Sequence, residues 1–333
     1  MMKPVAILGA GSWGTALAVQ LGSRQIPVIL FGRDPDRVAA IRESGSNGRY
    51  LPGVRLPSSV TVTSRLEDVA PCDTVVLAVP SQMLRTVVRG LPGGGPESRL
   101  LVNTAKGLEQ QTTLRLSQVI AQEARESDRV AVLSGPSHAE EVARFLPTAI
   151  VAGSEDPEAA RQVQNLFMSD SLRVYTSEDL TGVEMGGAVK NVIALAAGIN
   201  VGLGFGDNST AALVTRGLYE IVKLGVAVGA RPETFSGLTG LGDLMVTCNS
   251  THSRNRTCGV RLGRGEALEA ILADMGMVVE GVMTTAAVKR LADELKVEMP
   301  IVEEVHQVLF EGKSPRQSVL DLMTRAKKEE MSI

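Results

Sequence analysis

Apolar and polar positions alternate along this chain in two regimes. Up to about residue 180, short runs of apolar and β-branched residues are separated by stretches with helical spacing. Val5–Leu8, Val28–Phe31, Thr74–Val79, Leu100–Asn103, Val130–Leu133, Thr148–Ala152 and Leu172–Tyr175 read as strands. That alternation predicts a parallel sheet covered by helices over residues 1–180. Beyond it the texture changes. Val183 to Val201 is rich in Ala, Gly, Val and Ile and reads as a buried helix. Further helical patterns follow at Thr210–Val228, Leu268–Met275, Thr284–Glu294 and Ile301–Phe310. The expected fold class is therefore α/β, a parallel sheet domain followed by an all-α domain over residues 181–333.

The first strand ends in Gly9-Ala-Gly11-Ser-Trp-Gly14 and leads into the helical stretch Thr15–Leu21. Glycine at these three places has a reason in each case. Gly9 permits a tight turn, Gly11 lets the backbone approach a pyrophosphate, and Gly14 lets helix and strand pack closely. The free N–H groups at the helix start then face the phosphates, where the helix dipole favours negative charge. Glycine triplets also occur in ordinary turns, but here a strand precedes and a helix follows. Lys3 and the Ala16-Leu17-Ala18 triplet imitate a signal peptide, yet glycine, serine and tryptophan interrupt its apolar core.

Composition narrows the function. The 333 residues suffice for two domains. A net charge of −3 argues against a nucleic-acid partner. Cys72, Cys248 and Cys258 have neither paired nor metal-ligand spacing, which points to a reducing cytoplasm. The apolar stretch Val192–Leu203 is shorter than the roughly 20 residues of a membrane span, so no membrane insertion is expected.

Four segments carry candidate chemistry. Lys190 lies in an apolar, small-residue helix, after Gly186, Gly187 and Ala188. A snorkelling surface lysine is the bland alternative. If buried, its pKa would fall and make it a usable proton donor and acceptor. Lys106 and the Ser134-Gly-Pro-Ser137 run follow strand ends, where open α/β sheets bind ligands. The glycine-rich Ser236–Leu244 ends in Asp243, and the polar run Thr251–Arg256 follows it. Arg254 there could grip a phosphate bidentately, though a solvated loop would have the same composition. No His/Asp pair and no metal-ligand cluster stands out, so a metal-free mechanism is expected.

Taken together, these segments resemble the NAD(P)-dependent glycerol-3-phosphate dehydrogenases of the bacterial type. The resemblance rests on Gly9–Gly14, Asn103-Thr-Ala-Lys106-Gly-Leu, Ser134–Ser137, Gly186-Gly-Ala-Val-Lys190-Asn191, Leu238–Leu244, Ser253-Arg-Asn255 and Val278-Val-Glu280-Gly281. It implies reversible hydride transfer between NAD(P)H and a small phosphate substrate, dihydroxyacetone phosphate, giving sn-glycerol 3-phosphate for phospholipid synthesis. It implies a Rossmann-type domain followed by a helical substrate domain, with Lys190 as general acid/base. Gly9, Gly11, Ser12, Trp13, Gly14, Arg33 and Ala139 would contact the cofactor, and Lys106 both ligands. Gly135, Ser137, Asp243, Ser253, Arg254 and Asn255 would contact the substrate. Arg254, Val278 and Glu280 match cofactor positions as well. A homodimer is compatible with this reading.

Two rivals are weighed against it. A 6-phosphogluconate or ketopantoate enzyme also uses a lysine, but the Lys106, Asp243 and Ser253–Asn255 segments count against it. A non-catalytic nucleotide sensor would have no use for Lys190. Between the cofactors, the end of the second strand is informative. An NAD site usually places an acid there for the ribose 2′-OH. This chain has Gly32-Arg33, with Asp34 one step later. Arginine suits a 2′-phosphate, and Asp34 could instead cap a helix ahead of Pro35. The residues therefore favour NADP(H), with NAD(H) left open.

Overall fold

A computed structural model describes residues 3–327, 329 and 330. The chain divides into two compact units. The first comprises residues up to Ala105 together with Leu116–Leu180. The second comprises Lys106–Arg115 and everything from Thr181.

The first unit is a sheet flanked by helices. In chain order it runs β1 (Val5–Leu8), α1 (Ser12–Ser23), β2 (Val28–Phe31), α2 (Pro35–Ser44), β3 (Val60–Thr63), β4 (Thr74–Leu77), α3 (Leu84–Arg89), β5 (Leu100–Asn103), α4 (Leu116–Glu123), β6 (Arg129–Ser134), α5 (Ala139–Val142), β7 (Thr148–Gly153), α6 (Pro157–Phe167) and β8 (Leu172–Ser177). The strands lie in the order β3-β2-β1-β4-β5-β6-β7-β8. β1 through β6 pair in parallel, as do β7 and β8. Both faces are covered, so β1 and β5 are buried along their whole length.

Two features depart from the expected sheet. β3 is a strand, although Val60-Thr-Val-Thr63 is a short alternation between turns and does not stand out in the sequence. β7 runs antiparallel to β6, so the sheet is not wholly parallel. The link between these two strands holds a single helical turn, α5, where parallel neighbours usually need a longer helical crossover.

The second unit is helical. It contains α7 (Leu180–Gly202), α8 (Asp207–Ala227), α9 (Asp243–Asn249), α10 (Arg254–Gly263), α11 (Leu268–Met275), α12 (Glu280–Leu295), α13 (Pro300–Phe310) and α14 (Pro315–Met323). α7 is its spine. It is long and apolar enough by composition to cross a membrane, but 94% of its most apolar window is buried inside the protein. Val189, Val192, Ile193 and Leu195 pack there with Phe235, Leu244, Val288 and Val302.

Small residues decide how the neighbours of α7 approach. A Cβ on Gly198 would stand 2.2 Å from the Arg256 carbonyl oxygen, and one on Gly259 would stand 2.2 Å from that of Leu195. Gly202 and Gly263 repeat the contact one turn on. α7 and α10 thus cross nearly backbone to backbone. α13 starts at Pro300, and its first free N–H groups find an unusual acceptor. The buried Glu220 carboxylate of α8 accepts from the N–H groups of Ile301 at 2.7 Å and Val302 at 3.2 Å.

Candidate active site

In the first unit, the turn between β1 and α1 has the geometry its glycines foreshadow. Gly9 has φ +118°, and a Cβ on it would lie 2.3 Å from the Ala78 carbonyl oxygen. A Cβ on Gly14 would lie 2.0 Å from the Gly9 carbonyl oxygen. At Gly11 a Cβ would meet no atom within 4 Å, so the space in front of it is open. Gly11 is also the N-cap of α1 and brings no side chain to the helix end. First-turn N–H groups and an open approach are what a pyrophosphate requires. Ser12 and Trp13 begin α1 and are partly exposed.

Arg33 is exposed just beyond β2. Asp34 is the N-cap of α2: its carboxylate accepts from the Arg37 N–H at 3.2 Å, and Pro35 follows as the first helical residue. The nearest acid is thus committed to its own helix. A feature not evident in the sequence lies alongside. The Arg37 guanidinium donates to the Tyr50 hydroxyl at 2.9 Å, and both Arg37 and Arg49 sit over the Tyr50 ring.

Beyond β6, Gly135 has φ +135° and Ser137 donates from its hydroxyl to the Gly135 carbonyl at 2.9 Å. Ala139 opens α5 and is buried.

The second unit brings together residues far apart in sequence. Lys190 on α7 is only 5% exposed. Its Nζ donates to the Asp243 carboxylate at 2.5 Å and to the Thr247 hydroxyl at 2.7 Å. Lys106 donates to the other Asp243 oxygen at 2.7 Å. One carboxylate, 1% exposed, therefore bridges two ammonium groups. Gly186 makes this possible. A Cβ there would stand 2.4 Å from the Thr239 carbonyl, so only glycine lets the π-helical turn Leu238–Gly242 lie against α7 and deliver Asp243. The glycine-rich segment that ends in Asp243 contains this turn, continuous with α9.

The electrostatics follow from burial and charge. Burial pushes the Lys190 ammonium down to about 8; Asp243 opposes that, and the charge of Lys106 adds to it. Burial alone would raise the Asp243 carboxyl, but the two ammonium groups outweigh it and hold it below the usual carboxylate range. Thr247 was not picked out in the sequence. It lies one helical turn after Asp243, which is the spacing that would have suggested it.

The polar run after α9 is a turn at Thr251 and His252 that leads through Ser253 into α10. Ser253 is its N-cap and accepts from the Arg256 N–H at 3.2 Å. Arg254 is exposed and donates to the Val278 carbonyl at 3.1 Å. Glu280 is the first residue of α12. Asn255 is buried; its amide donates to Asn191 Oδ1 at 2.9 Å and accepts from the Gly281 N–H at 2.9 Å. Those bonds fix Asn191, next to Lys190, against α10 and α12. Among the described residues no group of three metal-ligating side chains occurs.

A sheet with a phosphate-shaped glycine turn and a helical unit holding a buried, charged lysine define the class: a dinucleotide-dependent oxidoreductase. The chain belongs to the NAD(P)-dependent glycerol-3-phosphate dehydrogenase family. The N-terminal profile of the NAD-dependent glycerol-3-phosphate dehydrogenases matches residues 4–160 and their C-terminal profile residues 179–320. The glycerol-3-phosphate dehydrogenase [NAD(P)+] of Pelotomaculum thermopropionicum is 52% identical over 99% of this chain and 96% of its own length. That of Moorella thermoacetica is 52% identical over 99% and 98%. The crystal structure of the Coxiella burnetii enzyme, 37% identical, superposes with a TM-score of 0.94 over 97% of this chain and 99% of its own.

Proposed function

We propose that Lys190 is the general acid/base of dihydroxyacetone phosphate reduction, with Lys106, Asp243 and Thr247 completing its polar surroundings. When bound, the nicotinamide supplies the hydride to C2 or takes it back. As C2 gains hydride, its oxygen gains negative charge. The Lys190 ammonium stabilises that charge and delivers the proton, leaving a secondary alcohol and a neutral amine. In the reverse direction the amine takes the hydroxyl proton. Asp243 keeps the ammonium oriented, and Thr247 fixes a second of its donor directions. The observation that carries this reading is the burial of Lys190, which brings its proton affinity to about 8 and lets it work both ways near neutral pH.

Arg254 and the donors at the start of α10 are proposed to hold the substrate phosphate, with Gly135 and Ser137 also on the substrate. Remote binding of this kind positions C2 for the transfer. Gly9, Gly11, Ser12, Trp13 and Gly14 would hold the cofactor's phosphates, with Ala139, Lys106, Arg254, Val278 and Glu280 along the rest of it. We favour NADP(H) over NAD(H). Asp34 is engaged as a helix cap, whereas Arg33 is exposed just beyond β2, where it can meet a 2′-phosphate. The cytoplasm suits the three buried free cysteines, and phospholipid synthesis is the proposed destination of the product.

The test is Lys190→Ala, assayed by NADPH oxidation with dihydroxyacetone phosphate and by cofactor titration. Turnover should fall by about 10²–10⁴-fold with cofactor binding intact. A variant that keeps most of its kcat would refute the assignment.

A further inference from the structure

The ten residues Lys106–Arg115 leave the sheet unit and fold into the helical one. They form a small hairpin. Leu108 and Arg115 face each other in an antiparallel bridge, and the Glu109 N–H donates to the Leu114 carbonyl at 3.0 Å. Thr113, at φ +61°, donates from its N–H back to the Glu109 carbonyl at 2.9 Å and closes the turn. Contacts on several sides fasten this hairpin. Leu108 is fully buried in the helical core. The Gln110 carbonyl accepts from the Arg290 guanidinium at 2.8 Å. At the stem, Arg115 pairs with Glu184 at 2.7 Å, with the two side chains 14% and 4% exposed.

Glu184 belongs to α7, six residues before Lys190. The pair therefore ties the hairpin stem to the helix that carries Lys190. Lys106 stands two residues before the stem residue Leu108, and its ammonium must reach 2.7 Å from Asp243. Taking a charge pair out of water is an inefficient way to stabilise a fold. Well-packed apolar residues in its place are often as good or better. A buried pair does impose direction and distance, through charge-assisted hydrogen bonds of fixed geometry.

We propose that Arg115 and Glu184 are positioning residues for this reaction: their ion pair sets the hairpin on α7 so that Lys106 and Lys190 meet the same Asp243 carboxylate. The inference rests on the reading of Lys106 and Lys190 given above. It has a consequence that a merely structural pair would lack. The charged groups that act on Lys190 are Asp243 from α9 and Lys106 from the hairpin; the nearby Cys248 thiol is pushed up to about 12 by burial and stays neutral. If the stem drifts and Lys106 leaves Asp243, Lys190 loses a repelling charge and has the carboxylate to itself. Its proton is then held more tightly. The alkaline decline of ketone reduction then moves to higher pH, although Arg115 and Glu184 act through the hairpin stem.

The test is a double-mutant cycle. Glu184→Gln is made alone and together with Lys106→Ala. A second variant, Arg115→Met with Glu184→Met, removes both charges while keeping similar volume, in case the single change leaves a buried arginine that prevents folding. The readouts are kcat and KM with NADPH and dihydroxyacetone phosphate, the pH profile of kcat/KM, cofactor Kd and Tm. A displacement of about 1 Å in a reacting constellation can cost on the order of 10²-fold, so Glu184→Gln and the double-Met variant should lose about 10- to 100-fold in kcat with cofactor Kd unchanged. Their alkaline limb should move upward from about 8. In the Lys106→Ala background, Glu184→Gln should cost less than about twofold, because the residue it positions is gone. An equal loss in both backgrounds, or an unmoved pH limb, overturns the positioning role and leaves the active-site reading standing. A Lys106→Ala enzyme with full kcat overturns both.

Discussion

Replacing Asp243 with asparagine tests the charge balance of the site most directly. The side chain keeps its size, loses its charge and exchanges one of its two acceptor oxygens for an NH2 donor. In the native protein that charge faces Lys190 at 2.5 Å and Lys106 at 2.7 Å with 1% exposure. Coulomb's law at an effective dielectric of about 20 gives roughly 6 kcal/mol for each such contact, a ceiling before any relaxation. Opposite charges at this range typically move a pKa by about 1–3, and we use that smaller figure. Burial and Lys106 already push Lys190 down to about 8, with Asp243 pushing back. Without the carboxylate, Lys190 falls to roughly 5–7.

The sign is then fixed. Ketone reduction requires the ammonium form, which is populated below the pKa and lost as pH rises through it. At pH 7 the charged fraction drops from about 0.9 to between about 0.5 and 0.01, a loss of roughly 2- to 90-fold from protonation alone. Lost orientation of Lys190 adds to that. The assay is kcat/KM for NADPH oxidation with dihydroxyacetone phosphate from about pH 5 to pH 9, which reports the free enzyme. The alkaline limb should move acidward, opposite to the shift expected for Glu184→Gln. Oxidation of glycerol 3-phosphate, which needs the neutral amine, should keep its rate to lower pH. Because breaking a buried ion pair can cost about 3–5 kcal/mol, Tm is measured alongside, and rates are compared only for folded enzyme. A folded Asp243→Asn enzyme whose limb still falls near 8 would show that the carboxylate does not control Lys190, and the reasoning would fail.

Three further outcomes are expected. Arg33→Ala should raise KM for NADPH far more than for NADH; equal changes would mean that Arg33 does not meet a 2′-phosphate. Arg254→Ala should lower kcat/KM for dihydroxyacetone phosphate by about 10- to 100-fold, from a charge-assisted contact worth roughly 1.5–3 kcal/mol, while unphosphorylated dihydroxyacetone changes much less. A proportional loss with both substrates would remove Arg254 from the phosphate site. Burial pushes the Glu220 carboxyl up from 4.5 to about 7, against the two N–H bonds it accepts. A raised carboxyl favours the folded state only while protonated, so its contribution is full below about 4.5 and is lost as pH rises to about 7. The difference is on the order of 3 kcal/mol. Glu220→Gln should flatten that part of the stability–pH curve in urea unfolding, and an unchanged slope would contradict the burial argument.

The sequence by itself determined what short-range patterning can encode. The apolar runs placed seven of the eight strands, because a buried strand needs contiguous apolar residues and little else. The Gly9–Gly14 turn was legible because each glycine answers a local steric demand. Lys190 stood out because a lysine in an apolar helix is an anomaly wherever that helix lies. The capping role of Asp34 was legible as one of two options, from its place before Pro35.

Tertiary structure decided everything that depends on partners distant in the chain. Lys106 and Asp243 are 137 residues apart and Lys190 and Asp243 are 53 apart, and no local pattern states that one carboxylate takes both. The antiparallel turn of β7 was hidden because parallel and antiparallel strands share a composition, and only the path of the link distinguishes them. The glycines of α7 and α10 read as helix residues of low propensity, yet their purpose is to let two backbones touch and so bring Asn255 to Asn191. The excursion of Lys106–Arg115 into the helical unit was equally invisible, since Arg115 in isolation is an ordinary surface arginine. Periodicity reports which face of an element is buried. It carries no information about which buried face meets which, and in this protein that choice assembles the charged cluster around Lys190.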